Sequence, residues 1–272
     1  MNDKLDASTR RELLGGAVAV TCMALAPGGI GPALAQNSQA KTFLLIHGAW
    51  HGGWCWRRVS DLLEKRGHKV FAPTLTGLGE RSHLLNDKVN LSTHIADIAN
   101  VIKWEGLKDF VLVGHSYGGY VITGVAERVP EAIASIVFLD AFMPENGDSL
   151  AETGSERVRE GLTAARQRGD LGMAPVPAAA FRVNEKDRAW VDALCTPHPI
   201  GTFTEKLVHN GARERIARKA YIRAAGYSQP TFDKALATKK ADPSWRTYEV
   251  PCGHDVMVDM PDRLVEILLE VA

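Results

Sequence analysis

The chain has 272 residues, of which 45% are hydrophobic and 24% are charged. It is long enough to bury a large core in one α/β domain with an insertion, or in at most two small domains. Lysine plus arginine and aspartate plus glutamate each number 32, so the formal net charge is zero. A balanced charge argues against a basic face for nucleic acid or acidic lipid, and we expect neither partner.

The N-terminal 35 residues have the pattern of an export signal. The adjacent Arg10 and Arg11 precede an apolar run over residues 13–26, which is too short for a helix that crosses a bilayer. A small-x-small cleavage pattern, Ala33-Leu34-Ala35, follows. We therefore predict a Tat-type signal in residues 1–35, a domain over residues 36–272 without a stable membrane anchor, and a periplasmic or secreted bacterial protein. A disordered or membrane-surface N-terminal helix is the alternative.

The cysteines indicate neither a disulfide framework nor a metal site. Cys22 lies in the predicted signal, and Cys55, Cys195 and Cys252 remain after it. An odd number allows one disulfide at most in an oxidising compartment. The sequence has no C-x-x-C pair or zinc-type spacing, so we expect three buried, unreactive thiols.

Strand-like and helix-like stretches alternate along the rest of the chain. The strand-like runs lie at 42–46, 69–72, 110–113, 134–139, 219–223 and 245–249. The helix-like runs lie at about 54–66, 91–104, 119–128, 231–238 and 261–271. This alternation predicts an α/β fold with a doubly wound, mostly parallel sheet.

The alternation breaks between about residues 144 and 217. That stretch contains proline, glycine, alanine and charged residues, with short helical pieces and no apolar strand. It is predicted to be a cap insertion above the carboxyl edge of the sheet, where ligands bind in such folds.

The segment Gly114-His115-Ser116-Tyr117-Gly118 lies between a buried strand and a helix. Glycines two positions before and after the serine permit a strained turn, in which any Cβ would strike the neighbouring strand or helix. The pattern predicts a nucleophile elbow, with Ser116 held above the sheet at the start of the next helix. The alternative is a glycine-rich turn with an idle serine.

Five separate blocks make the chain resemble the α/β-hydrolases from Thr42 to its end. They are residues 44–54, 73–80, 114–118, 138–144 and the pair Gly253-His254. More narrowly, they are similar to the branch of plant methylesterases and hydroxynitrile lyases, with bacterial relatives that cleave small esters and carbamates. The resemblance implies a serine esterase acting on a small-molecule substrate through an acyl-enzyme. Nothing in the sequence points to a metal, an organic cofactor or a protein partner.

A serine hydroxyl needs a base to remove its proton during attack. His254 follows the last strand, and in the α/β-hydrolases the base comes last, so His254 is the predicted base. In the α/β-hydrolases the acid usually lies in the loop after the strand that corresponds to residues 219–223. In this chain no carboxylate follows that strand before Asp233, which is expected to lie inside the next helix. Asp140, at the tip of the strand after the elbow, is therefore the first candidate. Asp233 stays the alternative, and Asp140 as a strand-end cap is another.

An oxyanion hole needs two preorganised N–H donors. The backbone amides of Tyr117 and Ala49 are the candidates, because Tyr117 follows the nucleophile and Ala49 lies in the glycine-rich loop after the first strand. The predicted substrate pocket is lined by the side chains of His47, Trp50, Phe142 and Met143. It favours a small or medium ester of an aromatic or aliphatic acid.

Several other functions are weighed against ester hydrolysis. The lyases resemble this chain but carry threonine where Gly48 stands and lysine where Asp255 stands. Dehalogenases and epoxide hydrolases place aspartate at the elbow, where this chain has Ser116. Carbamate or amide hydrolysis on the same triad stays open, and so does a non-catalytic ligand-binding protein with the same fold.

Overall fold

A six-stranded parallel sheet forms the centre of the structure, a computed structural model that describes residues 40–272. The predicted export signal, residues 1–35, lies outside the described residues and stays a prediction. No helix within residues 40–272 has both the length and the apolar character needed to cross a bilayer.

The sheet has the order β2-β1-β3-β4-β7-β8, and each neighbouring pair is parallel. A separate antiparallel ribbon is formed by β5 and β6. The strands are β1 (Thr42–Ile46), β2 (Lys69–Phe71), β3 (Phe110–His115), β4 (Ile133–Leu139), β5 (Gly172–Met173), β6 (His198–Pro199), β7 (Arg218–Ala224) and β8 (Trp245–Val250). The order reverses between β1 and β3, and such a switch point opens a crevice at the carboxyl edge of a parallel sheet.

Helices flank the sheet. The α-helices are α1 (Arg57–Lys65), α2 (Leu91–Trp104), α3 (Gly118–Arg128), α4 (Leu150–Thr153), α5 (Glu156–Arg168), α6 (Glu185–Leu194), α7 (Ile200–Thr204), α8 (Ala212–Arg215), α9 (Pro230–Lys240), α10 (Val256–Asp259) and α11 (Pro261–Glu270). Short 3₁₀ helices lie at Gly53–Trp56, Gly79–Leu84, Pro130–Ala132 and Ala178–Phe181. The predicted doubly wound α/β fold is confirmed.

The hydrophobic core lies on both faces of the central strands. All six residues of β3 are buried, because this strand has a neighbour on each side and helices above and below. The apolar stripe of α2, which includes Ile95, Ile98 and Ile102, is buried as its spacing predicts. Helix α2 starts at a capping box made by Asn90 and Thr93.

Residues 144–217 supply no strand to the central sheet. Between β4 and β7 the chain forms α4 to α8 and the β5–β6 ribbon. Residues Leu150, Val158 and Phe203 of this segment line the same cavity as Ser116. The segment therefore contributes to the wall of that cavity.

Glycines let three backbones meet at the elbow. A Cβ on Gly118 would lie 2.9 Å from the carbonyl oxygen of Ile46, and one on Gly114 would lie 2.8 Å from the carbonyl oxygen of Gly118. A Cβ on Gly119 would lie 1.9 Å from the carbonyl oxygen of Phe142. Because these neighbours are backbone atoms, no rotamer change can make room.

Gly119→Ala should therefore destabilise the fold by about 2–3 kcal/mol, since the added methyl must displace the main chain after β4. The matched control is Gly124→Ala in the same helix. Its Cβ would meet only the movable side chain of Ile95, with Cδ1 at 2.2 Å, and alanine favours the helix interior by about 1 kcal/mol. Urea unfolding measures both variants, and equal losses of unfolding free energy would contradict the prediction.

Candidate active site

Ser116 stands at the sharp turn between β3 and α3. Its φ is 54°, in the left-handed region that non-glycine residues seldom adopt. Its amide donates to the Leu139 carbonyl at 3.2 Å, and its own carbonyl accepts from Gly119 at 3.0 Å and Phe142 at 3.2 Å. Main-chain hydrogen bonds to both neighbouring elements thus hold the strained turn, and Ser116 lines the cavity above it.

His254 and Asp140 meet beside this turn. His254 Nδ1 donates to Asp140 Oδ2 at 2.6 Å, and both side chains are buried. Ser116 and His254 line the same cavity. Among residues 40–272, no hydrogen bond joins the Ser116 hydroxyl to His254, and His254 Nε2 has no hydrogen-bond partner. That nitrogen is thus available to a group in the cavity.

The alternative acid, Asp233, lies in α9 and its side chain is 60% exposed. Its Oδ1 accepts from Arg223 Nε at 2.9 Å, and it makes no hydrogen bond to His254 within the described part of the chain. The structure therefore brings Asp140, rather than Asp233, to the histidine.

Sequence reasoning missed Arg223. This arginine ends near the tip of β7, is 2% exposed, and donates from Nη1 to Asp140 Oδ1 at 2.7 Å. The available signal was a charged residue in a strand-like run, next to the strand that carries the candidate acid.

The loop after β1 lies directly against the elbow. A Cβ on Gly48 would lie 2.9 Å from both Ser116 Cβ and His115 Nδ1. Ala49 and Tyr117 line the cavity together with Ser116. Among the described residues, their two backbone amides have no acceptor, so both N–H groups can serve a ligand oxygen.

Three hydrogen bonds attach Trp50 to the 144–217 segment. Its amide donates to His198 Nδ1 at 3.1 Å and its indole Nε1 to the Met173 carbonyl at 3.1 Å. Its carbonyl accepts from Thr196 at 2.9 Å. The φ of Trp50 is 65°, so these bonds hold another strained residue.

A second buried carboxylate, Asp255, follows His254. Asp255 Oδ2 accepts from His51 Nε2 at 3.0 Å, and His51 Nδ1 donates to the Ala49 carbonyl at 2.8 Å. Burial lowers the pKa of His51, but the charge and hydrogen bond of Asp255 raise it above its usual value. Burial raises the pKa of Asp255, whereas His51 holds it well below the usual range. This pair links the loop after β1, which contains Ala49, to the loop after β8, which contains His254.

His115, inside the elbow, is buried beside the turn. Its Nε2 donates to the His254 carbonyl at 3.1 Å, and burial lowers its pKa well below the usual value. His115, His254 and Asp255 form the cluster with metal-ligand spacing in the described chain, with donor atoms within 4.8 Å of one another. Within residues 40–272, His254 Nδ1 and His115 Nε2 have protein partners, whereas His115 Nδ1 and Asp255 Oδ1 are buried without one.

The cavity above Ser116 has a volume of about 420 Å³ and walls that are mostly apolar. Its lining includes Ala49, Trp50, Ser116, Tyr117, Phe142, Leu150, Val158, Val176, Phe181, Phe203, Tyr227, Phe232 and His254. The predicted lining residues Trp50 and Phe142 are therefore in the wall.

Two predicted lining residues are elsewhere. His47 is fully buried and does not line the cavity. Both of its ring nitrogens have protein partners, because Nδ1 donates to the Gly48 carbonyl at 2.8 Å and Nε2 accepts from the Leu75 amide at 3.0 Å. Burial lowers its pKa to about 3. Met143 lines a neighbouring cavity of about 260 Å³, beyond Phe142, which borders both cavities.

The thiols differ in part from the prediction. Cys55 is buried, but Cys195 and Cys252 are only half-buried, and all three are free. Burial raises the pKa of Cys195 and of Cys252 to about 12. Both therefore stay protonated near neutral pH, which agrees with low reactivity.

Residues 43–267 match the model of the alpha/beta hydrolase family, and the chain belongs to that family. A carbendazim hydrolyzing esterase from Nocardioides sp. is 43% identical over 235 residues, covering 83% of this chain and 97% of that protein. Putative methylesterase 13 of Arabidopsis thaliana is 28% identical over 259 residues, which are 87% of this chain and 57% of that protein.

A solved structure with the same fold is the extracellular alpha/beta-hydrolase of a Paenibacillus species, described as sharing structural and functional homology with tobacco salicylic acid binding protein 2. It has a TM-score of 0.75 and 26% identity, and the match covers 85% of this chain and 99% of that one. The resemblance to the methylesterase branch is confirmed, and so is the enzyme class, carboxylic ester hydrolase.

Asp255→Asn should destabilise the protein more near pH 6 than near pH 9. Because the pKa of His51 is higher in the folded protein than in the unfolded chain, its charged form stabilises the fold at pH values below the unfolded-state pKa. This stabilisation is lost as the pH rises through the folded-state pKa. Near pH 6 the free energy of unfolding of the variant should be about 3 kcal/mol lower than that of the wild type. Near pH 9 the difference should be smaller, because the wild type has itself lost the charged pair when His51 is deprotonated. Urea unfolding across this range measures the difference.

The control for that experiment is Asp242→Asn, a half-buried surface carboxylate that accepts from the Ser244 amide and has no hydrogen bond to a histidine within residues 40–272. Its difference from wild type should not change between these pH values. A pH-independent difference for Asp255→Asn as well would contradict the ionised pair.

Proposed function

We propose that this chain hydrolyses small or medium carboxylic esters through a Ser116–His254–Asp140 triad and an acyl-enzyme. The observation that carries the proposal is the 2.6 Å hydrogen bond between His254 Nδ1 and Asp140 Oδ2, next to a cavity lined by both Ser116 and His254. Nucleophile, base and orienting acid are the three parts that serine hydrolysis requires.

In the acylation step, Ser116 Oγ attacks the ester carbonyl carbon while its proton passes to His254 Nε2. Asp140 accepts the Nδ1–H and stabilises the imidazolium, and it stays ionised. The carbonyl oxygen becomes an oxyanion that accepts hydrogen bonds from the amides of Ala49 and Tyr117. When the tetrahedral intermediate collapses, the C–O bond to the alcohol breaks and His254 Nε2–H protonates the leaving oxygen.

Deacylation repeats these steps with water. His254 Nε2 takes a proton from the water as its oxygen attacks the acyl carbon. The second tetrahedral intermediate collapses, the proton moves to Ser116 Oγ, and the carboxylic acid leaves. The same two amides stabilise both oxyanions, so one rigid geometry serves both halves of the reaction.

The cavity wall supports an ester with an aromatic or aliphatic acyl group. Its aromatic members are Trp50, Phe142, Phe181, Phe203, Tyr227 and Phe232. Apolar walls gain from burying apolar substrate surface, at about 25 cal/mol per Å². A volume of about 420 Å³ suits a small or medium substrate.

Carbamate hydrolysis is the second candidate, and a specific relative favours it. The Nocardioides protein that is 43% identical is named for hydrolysis of carbendazim, a methyl carbamate. A carbamate would use the same triad, with a carbamoyl group on Ser116 in place of the acyl group. The same machinery could act on an amide, whose leaving nitrogen His254 would protonate.

Ser116→Ala should abolish the burst and the turnover of p-nitrophenyl esters, because no acyl-enzyme can form. Asp140→Asn should lower kcat by about 10³- to 10⁴-fold, since the histidine loses its anionic partner. Asp233→Asn, which alters only the outer partner of Arg223, should lower it less than about tenfold. Stopped-flow assays measure the burst and steady-state assays measure kcat for the wild type and the three variants, with p-nitrophenyl esters from acetate through octanoate.

The reverse order for the two aspartates would assign the acid to Asp233. Turnover that survives in Ser116→Ala would exclude the serine mechanism. If the wild type turned over no ester at all, the binding function would replace hydrolysis.

The ratio of kcat/KM for methyl butyrate and carbendazim, which share a methanol leaving group, separates the two substrate classes. We expect the ester to be favoured by at least about tenfold, or about 1.4 kcal/mol, since resonance makes the carbamate carbonyl a poorer electrophile. Both activities should vanish in Ser116→Ala. A ratio that favours carbendazim would make carbamates the substrate class.

A further inference from the structure

Arg223 is the buried cation beside the candidate triad. Its side chain uses all three nitrogens. Nη1 donates to Asp140 Oδ1 at 2.7 Å and to the Ala224 carbonyl at 2.6 Å, Nη2 donates to the Tyr227 carbonyl, and Nε donates to Asp233 at 2.9 Å. A guanidinium with this many partners is fixed in position and orientation.

Asp140 depends on these contacts. The residue is fully buried, with a φ of 42°, and a buried carboxylate is costly unless its charge and lone pairs are matched. Oδ2 faces His254, whereas Oδ1 accepts from Arg223 and from the Ala224 amide at 3.0 Å. Arg223 therefore fixes which oxygen is left for the histidine.

We propose that Arg223 is a positioning residue of the ester hydrolase: it orients the Asp140 carboxylate toward His254 and limits how strongly that carboxylate stabilises the imidazolium. This inference rests on the proposed triad. It also gives the arginine a second task, since Nη2 holds the carbonyl of Tyr227, whose ring lies 4.8 Å from the His254 ring.

Most other titratable groups around this site are neutral or already paired, and the exception is Arg157, which lines the cavity but is exposed to solvent. Burial raises the pKa of Tyr221 and of Tyr227, and that of Cys252 to about 12, so these groups are uncharged near neutral pH. His115 is neutral because burial lowers its pKa. Asp255, the residue after His254, pairs with His51.

Apart from His254, two charged side chains belong to the hydrogen-bond network of Asp140. One is Arg223, in direct contact. The other is Asp233, whose 60% exposed side chain is screened by solvent. Removing the guanidinium charge leaves the buried Asp140–His254 pair with one positive charge fewer, so the pair as a whole should bind a proton at a higher pH than in the wild type.

The test is the pH profile of kcat/KM and of kcat for p-nitrophenyl butyrate, from about pH 5 to 9. The acid limb of this profile is the range in which activity falls as the pH is lowered. In Arg223→Met the acid limb should shift to higher pH by about one unit, and kcat on the plateau should fall about tenfold. In Arg223→Lys the charge is kept, so the limb should stay near that of wild type. The plateau kcat should still fall, because the single ammonium group of lysine cannot reproduce the several fixed N–H donors of the planar guanidinium group.

Arg213→Met is the matched control. Arg213 is another buried arginine, 3% exposed, which donates to the Pro144 carbonyl and does not contact Asp140. Its substitution removes a buried guanidinium with similar risk to folding, but it should leave the acid limb in place.

A limb in Arg223→Met that coincides with that of wild type, in a protein with a native circular dichroism spectrum, would overturn the proposal. If Arg223→Met does not fold, Arg223→Lys decides: a reduced plateau with an unmoved limb supports positioning, and a wild-type plateau refutes it. Failure of the triad itself is read separately, from turnover that persists in Ser116→Ala.

Discussion

The buried carboxylate of Asp140 is the constraint on which the site depends. An ion at this depth is tolerated only because donors surround it: His254 Nδ1, Arg223 Nη1 and the Ala224 amide. These donors come from β7, its end and the loop after β8. The sheet order β4-β7-β8 makes these elements neighbours, so the position of the acid follows from strand order. The positive φ of Asp140 is the local strain that this arrangement sustains.

The protein assigns different charges to histidines that are chemically identical. His47 and His198 each accept a backbone N–H through one ring nitrogen, a bond that only a neutral ring can make, and burial lowers the pKa of both. His51 instead donates from both nitrogens, to a carbonyl and to Asp255, which requires the imidazolium. The charged His51 and the neutral His198 thus bind neighbouring residues of the loop after β1, Ala49 and Trp50. Acceptors and donors, rather than burial alone, decide the protonation state.

Sequence patterns predicted what depends on local chemistry. The strand Thr42–Ile46 and the helix Leu91–Trp104 agree with their predicted bounds, and most other elements differ by no more than two residues, because apolar runs and periodic stripes are themselves what the core buries. The elbow was predictable because close backbone contacts demand glycine at fixed positions. Arg223, the buried His47 and the displaced Met143 were not, since each is set by strand register and by packing between distant segments. No single-sequence pattern encodes that Arg223 lies opposite Asp140.

The bonds between Trp50 and the 144–217 segment limit how this enzyme can be re-engineered. Swapping that segment between relatives is an obvious route to new substrates, since it forms much of the cavity wall. Here, however, His198, the Met173 carbonyl and Thr196 also hold the residue next to Ala49. A transplanted segment that lacked these groups would release the loop that carries a proposed oxyanion donor. Exchanging this segment therefore changes substrate range and catalytic rate at the same time. A useful replacement has to keep these three contacts while it changes the rest of the cavity wall.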